Sequence, residues 1–89
     1  VIAGSDEVAA GMVMEALNNG VKIPQDIAIM GVDDQPLASY LQIPLTTIWQ
    51  PVQDEGRCAA KEMVRQLKGE SEGIRRKELD LKLIVRQSA

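Results

Sequence analysis

The stretch Ile27–Val32 constrains the fold more than any other part of the sequence, because it contains no polar side chain. A strand with one face in water alternates polar and apolar residues, whereas an uninterrupted apolar run is typical of a strand buried on both faces of a parallel sheet. The run ends on two adjacent carboxylates, Asp33 and Asp34. Open α/β sheets bind ligands at the carboxyl ends of such strands. The stretch therefore predicts an α/β fold with a polar site at that edge of the sheet.

The residues before this run complete a strand–helix–strand unit. Val1–Ala3 is predicted to be the end of a strand, and a helix is predicted from near Asp6 to near Asn19, before the left-handed stop at Gly20. The apolar face of this helix repeats at helical spacing: Ala9, Met12, Val13, Ala16 and Leu17. Two strands joined by such a crossover are parallel, so their carboxyl ends share an edge. Four polar residues are expected to meet there: Ser5, Asp6, Asp33 and Asp34.

The second half of the chain predicts two helices and two strands. A short helix begins at Pro36, and the β-branched run Leu45–Trp49 predicts a strand that Pro51 ends. Val52–Lys68 has one apolar face at helical spacing and then reaches a glycine stop. Glu78–Arg86 predicts a half-exposed edge strand, because apolar residues alternate with charged ones: Leu79, Leu81, Leu83 and Val85.

Charge and cysteine content narrow the function classes. The 10 basic and 13 acidic residues give a net charge of −3, so this chain itself is not expected to bind nucleic acid, which requires a basic surface. The basic cluster Arg75–Lys77 follows the polar loop Glu70–Gly73 and is interpreted as a solvated loop, with a small binding patch as the alternative. The single Cys58 fits a reducing compartment and is predicted to be a buried, inert thiol.

The start of the sequence and its hydropathy bear on its context. It opens on the apolar run Val1–Ala3 without an initiator Met, so we interpret it as a piece of a larger protein. No apolar run reaches the roughly 20 residues of a membrane span, and no membrane partner is expected. The cytoplasm is the default location.

Two adjacent carboxylates at a strand end suit two kinds of site. They can hold Mg²⁺ in phosphoryl-transfer enzymes. An ionised Asp33 can also accept hydrogen bonds from two vicinal hydroxyls or from a base N–H. The sequence has no His, no phosphate-binding glycine-rich loop and no catalytic Lys after a strand. We therefore expect a binding protein rather than an enzyme, with neither a metal nor a cofactor.

Four motifs occur in an order and spacing that carry a family resemblance. They are the segment AGSDEVAAGMVMEALNNGVKIPQDIAIMGVDD, the run PLTTIWQP, the helix around Gly56–Ala60 and the closing LKLIVRQS. Together they resemble the C-terminal third of the lactose-repressor/galactose-repressor (LacI/GalR) family of bacterial transcription factors. The resemblance implies a periplasmic-binding-protein-like (type I) core whose two subdomains close over a sugar or nucleobase effector. It also implies an N-terminal helix-turn-helix, outside this sequence, through which operator DNA is bound.

The family's chain path implies a division of the sequence. Residues 1–49 would form part of the C-terminal subdomain, residues 50–51 a crossover, and residues 52–77 a helix and loop of the N-terminal subdomain. Residues 78–89 would return to the C-terminal subdomain as its final strand. A chain with this path lacks half of each core and is expected to associate or rearrange in isolation. The surfaces expected to be partly uncovered are the apolar face of the helix Val52–Lys68 and the side chains of Leu45, Ile48 and Trp49.

The resemblance also implies roles for individual side chains. The family positions that contact the ligand fall on three residues, with the second as principal acceptor: Ser5, Asp33 and Gln50. A backbone hydrogen bond that fixes the crossover is the alternative role for Gln50. Asp6 is predicted to cap the first helix, and Asp34 to cap the short helix that follows it. Trp49 is predicted to pack against protein, with stacking on a ligand ring as the alternative.

In the family, the first helix and a nearby loop pair across a two-fold axis. This places Ala10, Tyr40 and Leu41 at a homodimer interface. Ala10 is smaller than the Leu or Met often found there, which thins the contact. Val32 stands where many relatives carry Tyr or Phe, which reduces the packing behind the ligand site.

A second hypothesis shares this fold. A sugar-binding solute receptor of a transport system has the same two-subdomain core, and a secretion signal upstream of Val1 would distinguish it. The motifs TTIWQP and LIVRQS favour the regulator.

Overall fold

The computed structural model describes residues 1–70, 73 and 76–89 of the 89-residue chain. The chain divides into two compact units, of which unit 1 is Val1–Gln50 with Leu81–Ala89 and unit 2 is Pro51–Asp80. The polar loop predicted at 70–73 and the basic cluster predicted at 75–77 lie partly outside the described residues.

Unit 1 is built on a mixed sheet, which in the described part of the chain has the strand order β1-β2-β3. The strands are β1 (Met30–Asp33), β2 (Thr46–Trp49) and β3 (Lys82–Ile84). β1 and β2 are parallel, with Asp33 opposite Trp49, and β3 is antiparallel to β2. The predicted parallel α/β arrangement is confirmed, and the carboxyl ends of β1 and β2 lie side by side.

The strand predicted at the start of the chain is reduced to one parallel bridge between Ile2 and Met30. β1 also begins later than the predicted Ile27, because the N–H of Ile29 donates to the Ser88 carbonyl at 2.9 Å instead of joining the ladder. The apolar run therefore enters the sheet only from Met30 onward.

Helix α1 (Asp6–Asn18) follows the first bridge and supports the sheet. Its predicted apolar face is confirmed, since Ala9 and Val13 are buried in a core with Ile29 and Leu45. Ser5 is its N-cap and accepts the N–H of Val8 at 3.3 Å, which fits the preference of Ser for that position. The predicted extent of the helix is correct to within a residue.

The connection from β1 to β2 contains the short helix α2 (Leu37–Tyr40). The N–H of Leu45 donates to the Ala38 carbonyl at 2.8 Å, and both residues are fully buried. The prediction that Leu45 is uncovered is therefore wrong, because α1 and α2 enclose it within unit 1. Ile48 and Trp49 are half-buried, as expected.

Unit 2 contains helix α3 (Val52–Leu67), which ends before Gly69 at a φ of 72°. Within this described helix no residue is buried, and Leu67 is 83% exposed. The prediction of an uncovered apolar face is confirmed. Cys58 is half-buried rather than buried, because its helix has no covered face. Within the described residues no helix is long and apolar enough to cross a membrane.

The final strand is shorter than the predicted 78–86. Ile84 and Arg86 are the better-buried residues, while Leu81, Leu83 and Val85 are more than half exposed. Since side chains alternate along a strand, burying Ile84 and Arg86 turns the leucines to the uncovered side. The alternation in the sequence predicted a strand here correctly, but it did not predict which side of that strand is buried.

Ser88 joins the final segment to the amino ends of β1 and β2. Its buried hydroxyl donates to the Ile29 carbonyl at 2.6 Å and accepts the N–H of Thr46 at 2.8 Å. Its own N–H donates to the Pro44 carbonyl at 3.0 Å. The last residues therefore close the hydrogen bonding of the sheet where β1 and β2 begin.

Substitution Ser88→Ala in the full-length protein should lower the free energy of unfolding by about 1–3 kcal/mol, because it leaves two buried backbone groups without partners. Urea denaturation measures this loss. The same substitution at exposed Ser39, in α2, is the control and should stay within about 0.5 kcal/mol of the parent protein. Equal effects at the two serines would contradict the role of Ser88.

Candidate functional site

The carboxyl edge of the sheet brings Asp33 and Gln50 into contact. Asp33 is the last residue of β1, and Gln50 follows the end of β2 directly. Gln50 Nε2 donates to Asp33 Oδ1 at 2.7 Å, and both residues are half-buried. Within the described chain this is the only side-chain hydrogen bond of Asp33. The pair therefore presents a carboxylate with further accepting capacity beside an amide.

The backbone turns sharply at the two carboxylates. Asp33 has a φ of 113° and Asp34 a φ of 52°. Such values are uncommon for residues other than glycine, although Asp tolerates the left-handed region better than most. Each strained residue costs about 1–3 kcal/mol and persists only where the surrounding structure enforces it.

Asp34 does not cap α2, so that prediction is wrong. The N-cap of α2 is Pro36, which makes no side-chain capping bond. Asp34 Oδ1 instead pairs with Arg86 Nη2 at 2.8 Å, and its N–H donates to Thr47 Oγ1 at 3.3 Å. The left-handed backbone directs Asp34 to these partners. Sequence reasoning missed Arg86, whose one signal was a cation after the apolar run Leu83–Val85.

Asp6 is not the N-cap of α1 either, because Ser5 takes that position. Asp6 is fully buried. Its Oδ1 accepts from Thr47 Oγ1 at 2.6 Å, and its Oδ2 accepts from the N–H of Gln35 at 2.7 Å. A capping residue serves its own helix, whereas Asp6 connects α1 to β2 and to the turn after β1.

Gly31 of β1 makes room for this carboxylate. A Cβ at position 31 would collide with Asp6 Oδ1 and would lie 3.1 Å from the Asp6 Cα. The helix can approach the strand this closely only because residue 31 has no side chain. The glycine inside the otherwise apolar run is therefore explained by the buried Asp6.

Ser5 lies next to Asp6 in sequence and is half-buried. Its Oγ accepts the N–H of Val8, which leaves the hydroxyl hydrogen available to donate. Within the described residues no hydrogen bond joins Ser5 to Asp33 or Gln50. Of the three predicted ligand residues, Asp33 and Gln50 are thus hydrogen-bonded to each other. Ser5 is linked to their segments only through the adjacent Asp6, which bonds Gln35 and Thr47.

Trp49 is half-buried at the end of β2, and the Nζ of Lys82 lies 5.2 Å from the centre of its ring. This distance is that of a cation–π contact with the neighbouring strand. The predicted packing of Trp49 against protein therefore includes Lys82 of β3.

The two adjacent carboxylates have different partners. Asp33 is bonded to Gln50, and Asp34 is paired with Arg86. In the parts of the chain that the structure describes, no group of three or more His, Cys, Asp or Glu could hold a metal ion.

The three residues predicted at a dimer interface differ in exposure. Tyr40 is 84% exposed, while Ala10 and Leu41 are half-buried. Leu41 packs against the hydrophobic core. Of the three, Tyr40 has the most surface to offer to another protein.

Parallel strands β1 and β2 that end in polar residues at one edge are typical of α/β ligand-binding domains. Comparisons with known proteins agree with this class. The periplasmic binding protein-like domain family matches residues 1–89. The ribose operon repressor of Haemophilus influenzae is 38% identical over 88 residues, which are 99% of this chain and 26% of that protein.

Two solved structures extend the comparison. A LacI family transcriptional regulator from Lactobacillus casei with bound sucrose is 44% identical, with a TM-score of 0.79, and the match covers 100% of this chain and 32% of that chain. The lac repressor dimer bound to operator and the anti-inducer ONPF is 25% identical, with a TM-score of 0.83, over 98% of this chain and 30% of that chain.

The chain belongs to the periplasmic binding protein-like domain family, as a fragment of the effector-binding core of the LacI/GalR type. It spans 26% of the length of the ribose operon repressor. The resemblance found in the four sequence motifs is thereby confirmed.

Proposed function

We propose that this chain forms part of the effector site of a bacterial transcriptional regulator and that Asp33 is the principal acceptor for a sugar-class ligand. The observation that carries the proposal is the strained Asp33 at the carboxyl end of β1, held by Gln50 alone among the described side chains. The sucrose bound to the Lactobacillus casei regulator supports the ligand class.

The chemistry of the edge suits a polyhydroxyl ligand. An ionised carboxylate accepts two or more hydrogen bonds, and bonds to a charged acceptor are about twice as strong as neutral ones. The Gln50 amide offers a carbonyl acceptor and a second N–H, and the Ser5 hydroxyl offers a donor. Acceptors and donors on adjacent segments match vicinal hydroxyls, each of which both donates and accepts.

The mechanism we propose is binding without covalent chemistry. Gln50 ends unit 1, and Pro51 begins unit 2. We assign residues 1–49 and 78–89 to the C-terminal subdomain, residues 50–51 to the crossover and residues 52–77 to the N-terminal subdomain. A ligand that binds Gln50 contacts the first residue of the crossover, and it shifts the population of subdomain arrangements according to its affinity for each. The shift changes the affinity for operator DNA through a helix-turn-helix domain elsewhere in the protein. The regulator acts in the cytoplasm.

We also propose that the regulator is a homodimer that uses the outer side of α1 and the end of α2. Val8, Met14 and Tyr40 are each more than half exposed on these two helices. Exposed apolar side chains favour association, since burial removes their surface from water. The lac repressor dimer has the same fold, which supports the dimeric state.

The sugar site is tested by isothermal titration of the full-length protein with D-ribose, sucrose, D-glucose and cellobiose. Substitution Asp33→Asn should weaken the tightest-bound sugar about 10- to 100-fold, the loss expected for one charged acceptor. Asn can still accept the bond from Gln50, so the fold is preserved.

The matched control is Asp26→Asn, in the connection before β1. Asp26 Oδ2 accepts the N–H of Lys22 at 2.9 Å, and an Asn oxygen can do the same. This variant should bind the sugar as the parent does. Equal affinity of parent and Asp33→Asn for every sugar they bind would refute Asp33 as the acceptor, and binding of none of the four sugars would count against the sugar class.

The dimer is tested by sedimentation equilibrium of the full-length protein with Tyr40→Glu, which places a charge in the proposed interface. The dimer dissociation constant should rise by about tenfold or more, because an unpaired charge is costly to bury. The matched control is Gln42→Glu, at an exposed position two residues further on. A dimer unchanged by Tyr40→Glu would contradict the assignment.

A further inference from the structure

We propose that Arg86 is a positioning residue for the effector site, which acts through Asp34 to hold Asp33 in its strained, ligand-facing conformation. The inference rests on the proposed role of Asp33 as ligand acceptor. Arg86 belongs to the last segment of the chain, far in sequence from Asp33. Of the two adjacent carboxylates, its guanidinium contacts that of Asp34 and not that of Asp33.

The first step is the strain itself. Asp33 and Asp34 have consecutive positive φ values of 113° and 52°. Such residues persist only where the surrounding structure enforces them, and Asp33 itself has one side-chain bond among the described residues, to Gln50. The conformation of Asp33 therefore depends on what anchors Asp34 and Gln35.

The second step is the set of anchors. The N–H of Asp34 donates to Thr47 Oγ1 at 3.3 Å, which is a long bond. The N–H of Gln35 donates to Asp6 Oδ2 at 2.7 Å. The side chain of Asp34 is held by Arg86 Nη2 at 2.8 Å. The guanidinium thus supplies the short, charged contact at the residue next to Asp33.

The third step is that Arg86 is itself fixed in place. Its Nη1 donates to the Leu45 carbonyl at 3.0 Å, and its backbone N–H donates to Thr46 Oγ1 at 2.8 Å. The side chains of Arg86 and Asp34 are only 22% and 21% exposed. A planar guanidinium that bonds a carbonyl and a carboxylate together is held in one orientation, which an ammonium cannot reproduce. Arg86 can therefore impose a geometry on Asp34 as well as a charge.

The test uses Arg86→Met in the full-length protein, well below its melting temperature, with two measurements. Hydrogen exchange of the Asp34 and Gln35 amides, without ligand, should accelerate about tenfold or more, while the amides of α1 stay unchanged. Titration with the tightest-bound sugar among D-ribose, sucrose, D-glucose and cellobiose should give at least about a tenfold weaker affinity.

Two further variants separate positioning from general stability. Asp34→Asn tolerates the left-handed backbone and keeps an acceptor oxygen but removes the charge, so it should reproduce both effects in part, and the double variant with Arg86→Met should match Arg86→Met alone. Arg57→Met removes an exposed arginine that pairs with Asp54 at 2.8 Å, and it should change neither measurement.

The outcomes are distinct. Unchanged exchange at Asp34 and Gln35, or acceleration that extends equally to α1, overturns the positioning role. Local acceleration with unaltered sugar affinity overturns the link from Arg86 to Asp33. If none of the four sugars binds the parent protein, the proposed sugar site fails, and the exchange measurement still decides whether Arg86 holds the turn.

Discussion

The arrangement of the site depends on one buried carboxylate. Asp6 is fully buried and has no cationic partner among the described residues, so its two hydrogen bonds must compensate for its loss of water. Thr47 Oγ1 and the N–H of Gln35 supply them, and so α1, β2 and the turn after β1 are fixed to one group. Gly31 is required because any larger residue would displace that carboxylate.

Each partner of Asp6 lies close in sequence to a residue proposed to touch the ligand. Ser5 precedes Asp6, Asp33 lies two residues before Gln35, and Gln50 lies three residues after Thr47. The groups proposed to face the ligand thus belong to backbone segments that the buried hydrogen bonds of Asp6 fix in place. This separation of roles lets Asp33 keep accepting capacity for a ligand while Asp6 and Asp34 satisfy the protein.

Sequence reasoning found what depends on local pattern. Periodicity and connection length, which are properties of neighbouring residues, predicted the apolar face of α1 and the parallel pairing of β1 with β2. They also placed Asp33 at the carboxyl edge of the sheet. The same reasoning assigned Asp6 and Asp34 to helix caps, the commonest local use of Asp. Their true partners, Thr47 and Arg86, are 41 and 52 residues away in the chain. A hydrogen bond across such a distance leaves no periodic signal.

The side of a strand that becomes buried is also a tertiary property. Leucines alternate along the final strand, yet in unit 1 the covered side is that of Ile84 and Arg86, since Arg86 reaches Asp34 and Leu45 there. The exposed leucines and the open face of α3 match a chain that spans only part of its relatives. Composition and spacing do not predict which of these residues are covered.

A double-mutant cycle between Asp6 and Thr47 tests the central claim most directly. Asp6→Ala, Thr47→Val and the double variant of the full-length protein would be compared by the opening free energies of α1 and β2 amides in hydrogen exchange. The buried network predicts a coupling energy of about 1.5–3 kcal/mol, the contribution of a hydrogen bond to a charged group. Effects that add to within about 0.5 kcal/mol would contradict it, because independent sites behave in that way.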